Sequence, residues 1–285
     1  MKIAFIGTGL MGKPMAERVL KAHHELIVFN RTVEKTTPLK SLGASVADNP
    51  GEAIRASECV ILMVSDYAAI CDVILSATSL PHLSGRTVIQ MGTISPVKSM
   101  ALKEKLSECR CEYLEAPVLG SIPEASAGSL IIMVGASPDQ FDRFSSFLTC
   151  FGPEPLLIGP VGRAAAIKLA LNQLIASLTA AFALSLSFVR RSEIEADLFM
   201  RILRGSALYA PTFDKKLERM IESNFDDPNF PSKHMVKDVD LFLEAAKPLN
   251  IETAGLEGIS RLLKRACDKG FSEKDYAAIY EIIHS

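Results

Sequence analysis

The chain of 285 residues predicts an α/β domain with a doubly wound, mostly parallel sheet, joined by a long interdomain helix to an all-α domain. Three observations predict it. Short apolar runs alternate with helical patterns through roughly the first 160 residues. Strand-like runs nearly vanish after Gly162. The run Leu169–Val189 carries no charge over 21 residues, inside a helix expected over Arg163–Arg191. The length suits two domains, and the change of character near Val161 places them at 1–161 and 162–285.

In chain order, strands are expected at Lys2–Ile6, Glu25–Asn30, Cys59–Val64, Thr87–Gln90, Glu112–Glu115, Leu130–Val134 and Leu156–Ile158. Amphipathic segments at Met11–Lys21, Glu52–Ala56 and Val97–Glu108 lie between them. Gly152, Pro153 and Pro155, and then Gly159, Pro160 and Gly162, punctuate the end of this region. The charge-free run is long enough for a bilayer span. Its polar residues, Asn172, Gln173, Ser177, Thr179, Ser185 and Ser187, and its many alanines instead favour a helix buried on most sides of a soluble protein.

Composition excludes several classes. A formal net charge of −2 provides no broad cationic field for nucleic acid. The six cysteines form no CxxC pair, so no zinc ligand set is expected and reduced thiols are favoured. The first strand begins at Lys2, so no signal peptide, no membrane partner and a cytoplasmic protein are expected.

Gly7, Gly9 and Gly12 form a GxGxxG motif between the first predicted strand and the first predicted helix. That context is the one a dinucleotide-binding Rossmann turn requires. Gly7 permits the tight turn, Gly9 lets a pyrophosphate approach the backbone, and Gly12 lets helix and strand pack closely. With Leu10 and Met11, they place a helix N-terminus against the diphosphate. A ligand-free glycine turn is the alternative. The second strand ends in Asn30, Arg31 and Thr32, without the carboxylate that binds ribose hydroxyls in an NAD site. Arg31 suits a 2′-phosphate, so NADP(H) is the expected cofactor; a solvated loop arginine is the other reading. Met63, Val64 and Ser65, and Thr93, stand at later strand ends, where ribose or nicotinamide contacts and plain turns are equally open.

Together these residues resemble the β-hydroxyacid dehydrogenase family, and the resemblance spans essentially the whole chain. The cofactor motif is similar over Phe5–Ala16, the substrate motif over Glu115–Ser121, the catalytic motif over Gly162 and Lys168–Asn172, and a late cofactor motif at Lys237 and Asp238. Asn30–Thr32 and Phe230–His234 are similar to the NADPH-using glyoxylate/succinic semialdehyde reductase branch. Two departures stand out. Leu119 occupies the place of a serine in the substrate motif, and Ala164 that of a glycine in the catalytic motif.

Reduction of a carbonyl builds negative charge on oxygen, which needs a proton or a cation. Lys168 is the only charged residue between Arg163 and Arg190, and burial of a lysine favours its neutral amine. Asn172 lies one turn on, positioned to bond the amine or the substrate. On pattern alone, Lys168 snorkelling to solvent is as good a reading; the resemblance implies catalysis. It also implies that Thr93, Gly120 and Ser121 hold a substrate carboxylate between the domains, that Phe230 packs on the ligand, and that Lys237 and Asp238 close over the nicotinamide half. An exposed ion pair is the alternative for the last two. His234 reads as a surface residue, His23 and His24 as a helix end, and Cys109 and Cys111 as strand-edge thiols.

The resemblance thus implies an NADPH-dependent reductase of small carboxylate-bearing aldehydes, with a homo-oligomer, dimer or tetramer, as the expected assembly. A 3-hydroxyisobutyrate-type dehydrogenase and a non-catalytic nucleotide-binding scaffold remain as rivals. An imine reductase is disfavoured by the presence of Lys168.

Overall fold

The computed structural model describes residues 1–285, which divide into two compact units, Met1–Lys168 and Leu169–Ser285. The first is built from β1 (Lys2–Ile6), α1 (Gly12–Lys21), β2 (Glu25–Phe29), α2 (Thr37–Ser41), β3 (Ser45–Val46), α3 (Pro50–Arg55), β4 (Cys59–Leu62) and α4 (Tyr67–Ile74). It continues with β5 (Thr87–Gln90), α5 (Pro96–Glu108), β6 (Glu112–Glu115), β7 (Val118–Leu119), α6 (Ile122–Ala127), β8 (Ile131–Gly135), α7 (Pro138–Leu148) and β9 (Leu156–Gly159). The sheet runs β3-β2-β1-β4-β5-β6-β8-β7, with β9 paired to β8.

The six strands β3 to β6 along this order are parallel, in the 3-2-1-4-5-6 arrangement of a doubly wound nucleotide-binding sheet. β8 is antiparallel to both β6 and β7. Period-two alternation fills both faces. In β1, Ile3 and Phe5 enter one core with Met15, Val28, Ile61 and Phe147. Ala4 and Ile6 enter the other, with Ile54, Val60, Ile70 and Leu102. Each fully buried Ile or Phe side chain contributes about 1.5–3 kcal/mol.

The expected strands and the long helix form, with ends displaced by one or two residues. β3, β7, α2, α4, α6 and α7 are additional, and four of these are very short. Cys109 is not on a strand edge: it ends α5, where the helix carbonyls turn the chain. Cys111 is buried just before β6.

The second unit continues α8 (Arg163–Arg191), followed by α9 (Ala196–Arg204), α10 (Pro211–Ile221), α11 (Ser232–Ala246), α12 (Ala254–Ala266) and α13 (Ile279–His284). α8 is long and apolar enough to cross a bilayer by length and composition alone. It is not buried on most sides. Ala176, Ala180, Phe182, Ala183 and Leu186 form one stripe, packed with Met200, Phe213, Met235 and Tyr280. Phe182 stacks on Phe213 at 4.8 Å between ring centroids. Leu174, Leu178, Leu184 and Phe188 are exposed on the other side, Phe188 by 72%. A charge-free sequence records no direction, so it could not distinguish one buried stripe from burial all round.

Candidate active site

The glycine turn divides its labour. Gly7 has φ +97°, and a Cβ there would lie 2.3 Å from the Met63 carbonyl oxygen. A Cβ on Gly12 would lie 1.9 Å from the Gly7 carbonyl oxygen. The fold itself therefore forbids a side chain at both positions. A Cβ on Gly9 would meet no atom of the chain within 4 Å, so its lack of a side chain serves approach from outside the chain. α1 opens beside it at Met11 with no side-chain cap and no acidic residue in its first turn, a suitable seat for an anionic pyrophosphate. Leu10 is exposed and Met11 half-buried.

Asn30 follows β2 and reaches back to this turn. Its Oδ1 accepts from the Thr8 N–H at 3.0 Å, and its Nδ2 donates to the Thr32 carbonyl at 2.8 Å. Asn30 thus braces the loop through both ends of its amide. Arg31 and Thr32 beside it are exposed. Met63, Val64 and Ser65 follow β4, and Thr93 lies just past β5. With the Gly7 turn and Asn30, these residues line the carboxyl edge of adjacent parallel strands β2-β1-β4-β5. The Ser65 hydroxyl donates to Asp66, whose carboxylate caps α4 at the Ala69 N–H, 2.9 Å away.

The substrate loop differs from expectation. Gly120 has φ +134°. The N–H and the hydroxyl of Ser121 both donate to Glu124 Oε2, each at 2.8 Å. The pair forms a capping box at the start of α6, so the Ser121 hydroxyl is engaged inside the loop rather than offered to a substrate carboxylate. Sequence reasoning missed Glu124, although Ser-x-x-Glu was the available signal.

Lys168 and Asn172 lie one turn apart on α8 and are 9% and 2% exposed. Snorkelling to solvent is thereby set aside for Lys168. The Asn172 amide donates to Asp238 Oδ2 on α11 at 2.5 Å. Lys237 Nζ lies 2.7 Å from Asp238 Oδ1, an ion pair. Asp238 is 2% exposed, so this is no surface pair. Half-buried His234, one turn earlier, stacks on half-buried Phe230 at 6.2 Å, and burial pushes its imidazole pKa down. α11 turns it toward this aromatic neighbour and leaves it half-buried. A surface depression of about 460 Å³, lined by Arg204, Asp214, Leu217, Glu218, Ile221 and Glu222, contains none of these candidates.

Residues 2–159 match the family model described as the NAD binding domain of 6-phosphogluconate dehydrogenase. Residues 162–283 match the one described as NAD-binding of NADP-dependent 3-hydroxyisobutyrate dehydrogenase. The chain belongs to the β-hydroxyacid dehydrogenase family. This β-hydroxyacid dehydrogenase is 29% identical to the chloroplastic glyoxylate/succinic semialdehyde reductase 2 of Arabidopsis thaliana, over 99% of this chain and 79% of that one. It is 27% identical to the cytokine-like nuclear factor N-PAC of Drosophila melanogaster, over 97% of this chain but 46% of that protein. The 3-hydroxyisobutyrate dehydrogenase structure from Salmonella typhimurium has the same fold, with a TM-score of 0.89 at 20% identity, covering 98% and 99% of the two chains.

Proposed function

We propose that this β-hydroxyacid dehydrogenase is an NADPH-dependent reductase of small carboxylate-bearing aldehydes, of the glyoxylate or succinic semialdehyde kind. The observation that carries the proposal is Lys168: a cation 9% exposed, in a helical run otherwise without charge, one turn from an asparagine fixed by Asp238. Burying an ammonium is costly, and a fold that keeps one there has a use for it. The name of the Arabidopsis reductase gives the substrate class its support.

The Gly7–Gly12 turn and the uncapped start of α1 would hold the pyrophosphate, and exposed Arg31 the 2′-phosphate. Bound nicotinamide supplies the hydride. Lys168 gives its proton to the carbonyl oxygen as negative charge develops there, yielding the hydroxyl. Asn172, held by Asp238, restricts the lysine on the same helix face. Since Glu124 occupies Ser121, the substrate carboxylate falls to Thr93 and Gly120. We further place the enzyme in the cytoplasm, where its six free thiols suit a reducing medium, and as a homo-oligomer that covers the exposed apolar side of α8.

Initial rates with NADPH and with NADH against both aldehydes test the proposal. Turnover of either aldehyde with a marked NADPH preference supports it. NADPH binding without turnover of either moves the substrate elsewhere, with Leu119 and the Ser121–Glu124 contact marking a different pocket. Oxidation of 3-hydroxyisobutyrate in preference to both reductions would favour a dehydrogenase of that kind.

A further inference from the structure

Glu115 ends β6 and is 1% exposed, yet no part of the proposed reaction uses it. Its Oε1 accepts from the Gly162 N–H at 2.8 Å and from the Ala165 N–H at 3.1 Å, across the start of α8. Its Oε2 accepts from the Ser99 hydroxyl on α5, and Ser99 in turn bonds the Tyr113 hydroxyl at 2.8 Å. Opposite it on β8, Gly135 leaves the space this carboxylate fills: a Cβ there would lie 2.5 Å from Oε1. Burial pushes the Glu115 pKa up, while Ser99 and the backbone N–H groups of α8 draw it back.

Two costs cancel here. The first N–H groups of a helix have no partner within it and carry partial positive charge. A buried carboxylate is costly without donors. Each supplies what the other lacks, and two elements of the sheet unit, β6 and α5, are thereby tied to one turn of α8. Lys168 is the sixth residue of that helix, a single turn beyond Ala165. A helix turns about 100° per residue, so slack in the first turn swings every side chain that follows closely.

We propose that Glu115 is a positioning residue: it fixes the first turn of α8, and through it the place and direction of the Lys168 amine. Its effect on rate rests on the reading of Lys168 as proton donor; its effect on the amine does not. Glu115→Asp withdraws the carboxylate by one methylene and breaks the contact, and Ser99→Ala loosens it from the other side if the aspartate variant fails to fold. In the full-length chain without cofactor, acylation of Lys168 is followed by peptide mass mapping across pH, with exposed Lys98 as internal standard. A change of about threefold or more in Lys168 labelling relative to Lys98 is expected from loss of the anchor. Unchanged Lys168 labelling, with only a lowered melting temperature, overturns the proposal and leaves Glu115 a purely structural group.

The kinetic arm separates this from the function proposed above. A misplacement near 1 Å costs on the order of 100-fold in rate, so kcat should fall at least about tenfold in Glu115→Asp with KM little changed. In a Lys168→Ala background the same substitution should add no further loss; losses that multiply would overturn the positioning role. If Lys168→Ala keeps the wild-type rate while Glu115→Asp still alters Lys168 labelling, the catalytic reading fails and the positioning stands.

Discussion

The sheet unit and the helical unit satisfy their polar groups over different distances along the chain. In the sheet unit α3, α4 and α7, unlike α1, are capped from three residues away: Asn49 accepts from Glu52 N–H at 3.0 Å, Asp66 from Ala69 at 2.9 Å and Ser137 from Gln140 at 3.2 Å. In the helical unit α9, α10, α11 and α12 begin without a side-chain cap. Its buried polar groups instead pair across the unit, Lys216 with Asp275 over 59 residues and Asn172 with Asp238 over 66. A local cap is a small, separable increment, whereas a buried pair binds distant segments and costs much when half is removed.

The largest effect should therefore come from Asp275→Ala. Lys216 Nζ sits 2.8 Å from both carboxylate oxygens and 4.2 Å from the Tyr276 ring centroid, and the two side chains are 7% and 0% exposed. Stranding that ammonium should cost about 3–5 kcal/mol in urea unfolding. Asn49→Ala, at a local cap, should cost only about 1 kcal/mol. Equal losses would break the contrast between the units.

Next come the glycines. Gly12→Ala forces a Cβ to 1.9 Å from the Gly7 carbonyl, so stability should drop by about 1–3 kcal/mol along with cofactor affinity. Gly9→Ala meets nothing in the chain, so its melting temperature should stay near wild type while NADPH titration shows weaker binding. A comparable melting loss in both variants would contradict the division of labour within the turn.

A smaller change is expected at Arg31→Ala, about tenfold weaker NADPH binding, or about 1.4 kcal/mol, with NADH nearly unaffected. Equal weakening of both cofactors would show that Arg31 does not read the 2′-phosphate.

The smallest effect concerns His234. Burial lowers its folded pKa below the ordinary value of 6.5. The unfolded chain takes up the proton first on acidification, so this group costs the fold stability as pH falls below about 6.5 and on through the lower folded pKa. His234→Asn should flatten that part of the stability profile between about pH 7 and 5. A profile unchanged by the substitution would assign the acid sensitivity to other groups.

The same difference in distance explains what could be read from the sequence. The parallel sheet and the glycine turn depend on period-two runs and on local backbone geometry, and both can be recognised residue by residue. The Ser121–Glu124 box is equally local, and its Ser-x-x-Glu spacing is legible in the sequence. Lys216 and Asp275 gave no such signal, because nothing local in either segment names its partner. Glu115 is the exception within the sheet unit: its bonds to Gly162 and Ala165 span 47 and 50 residues, and the sequence offered only its place at the head of a motif. The direction of α8 was likewise unreadable, since Ala, Leu and Ser around its whole circumference record no buried side.

The most direct test of the account is the turnover of glyoxylate and succinic semialdehyde with NADPH by wild type and Lys168→Ala, alongside NADPH binding by each. In Lys168→Ala kcat should fall by about 10²- to 10⁴-fold with the NADPH dissociation constant essentially unchanged. A variant that turns over near the wild-type rate, or one whose loss lies entirely in cofactor binding, would contradict the role given to Lys168.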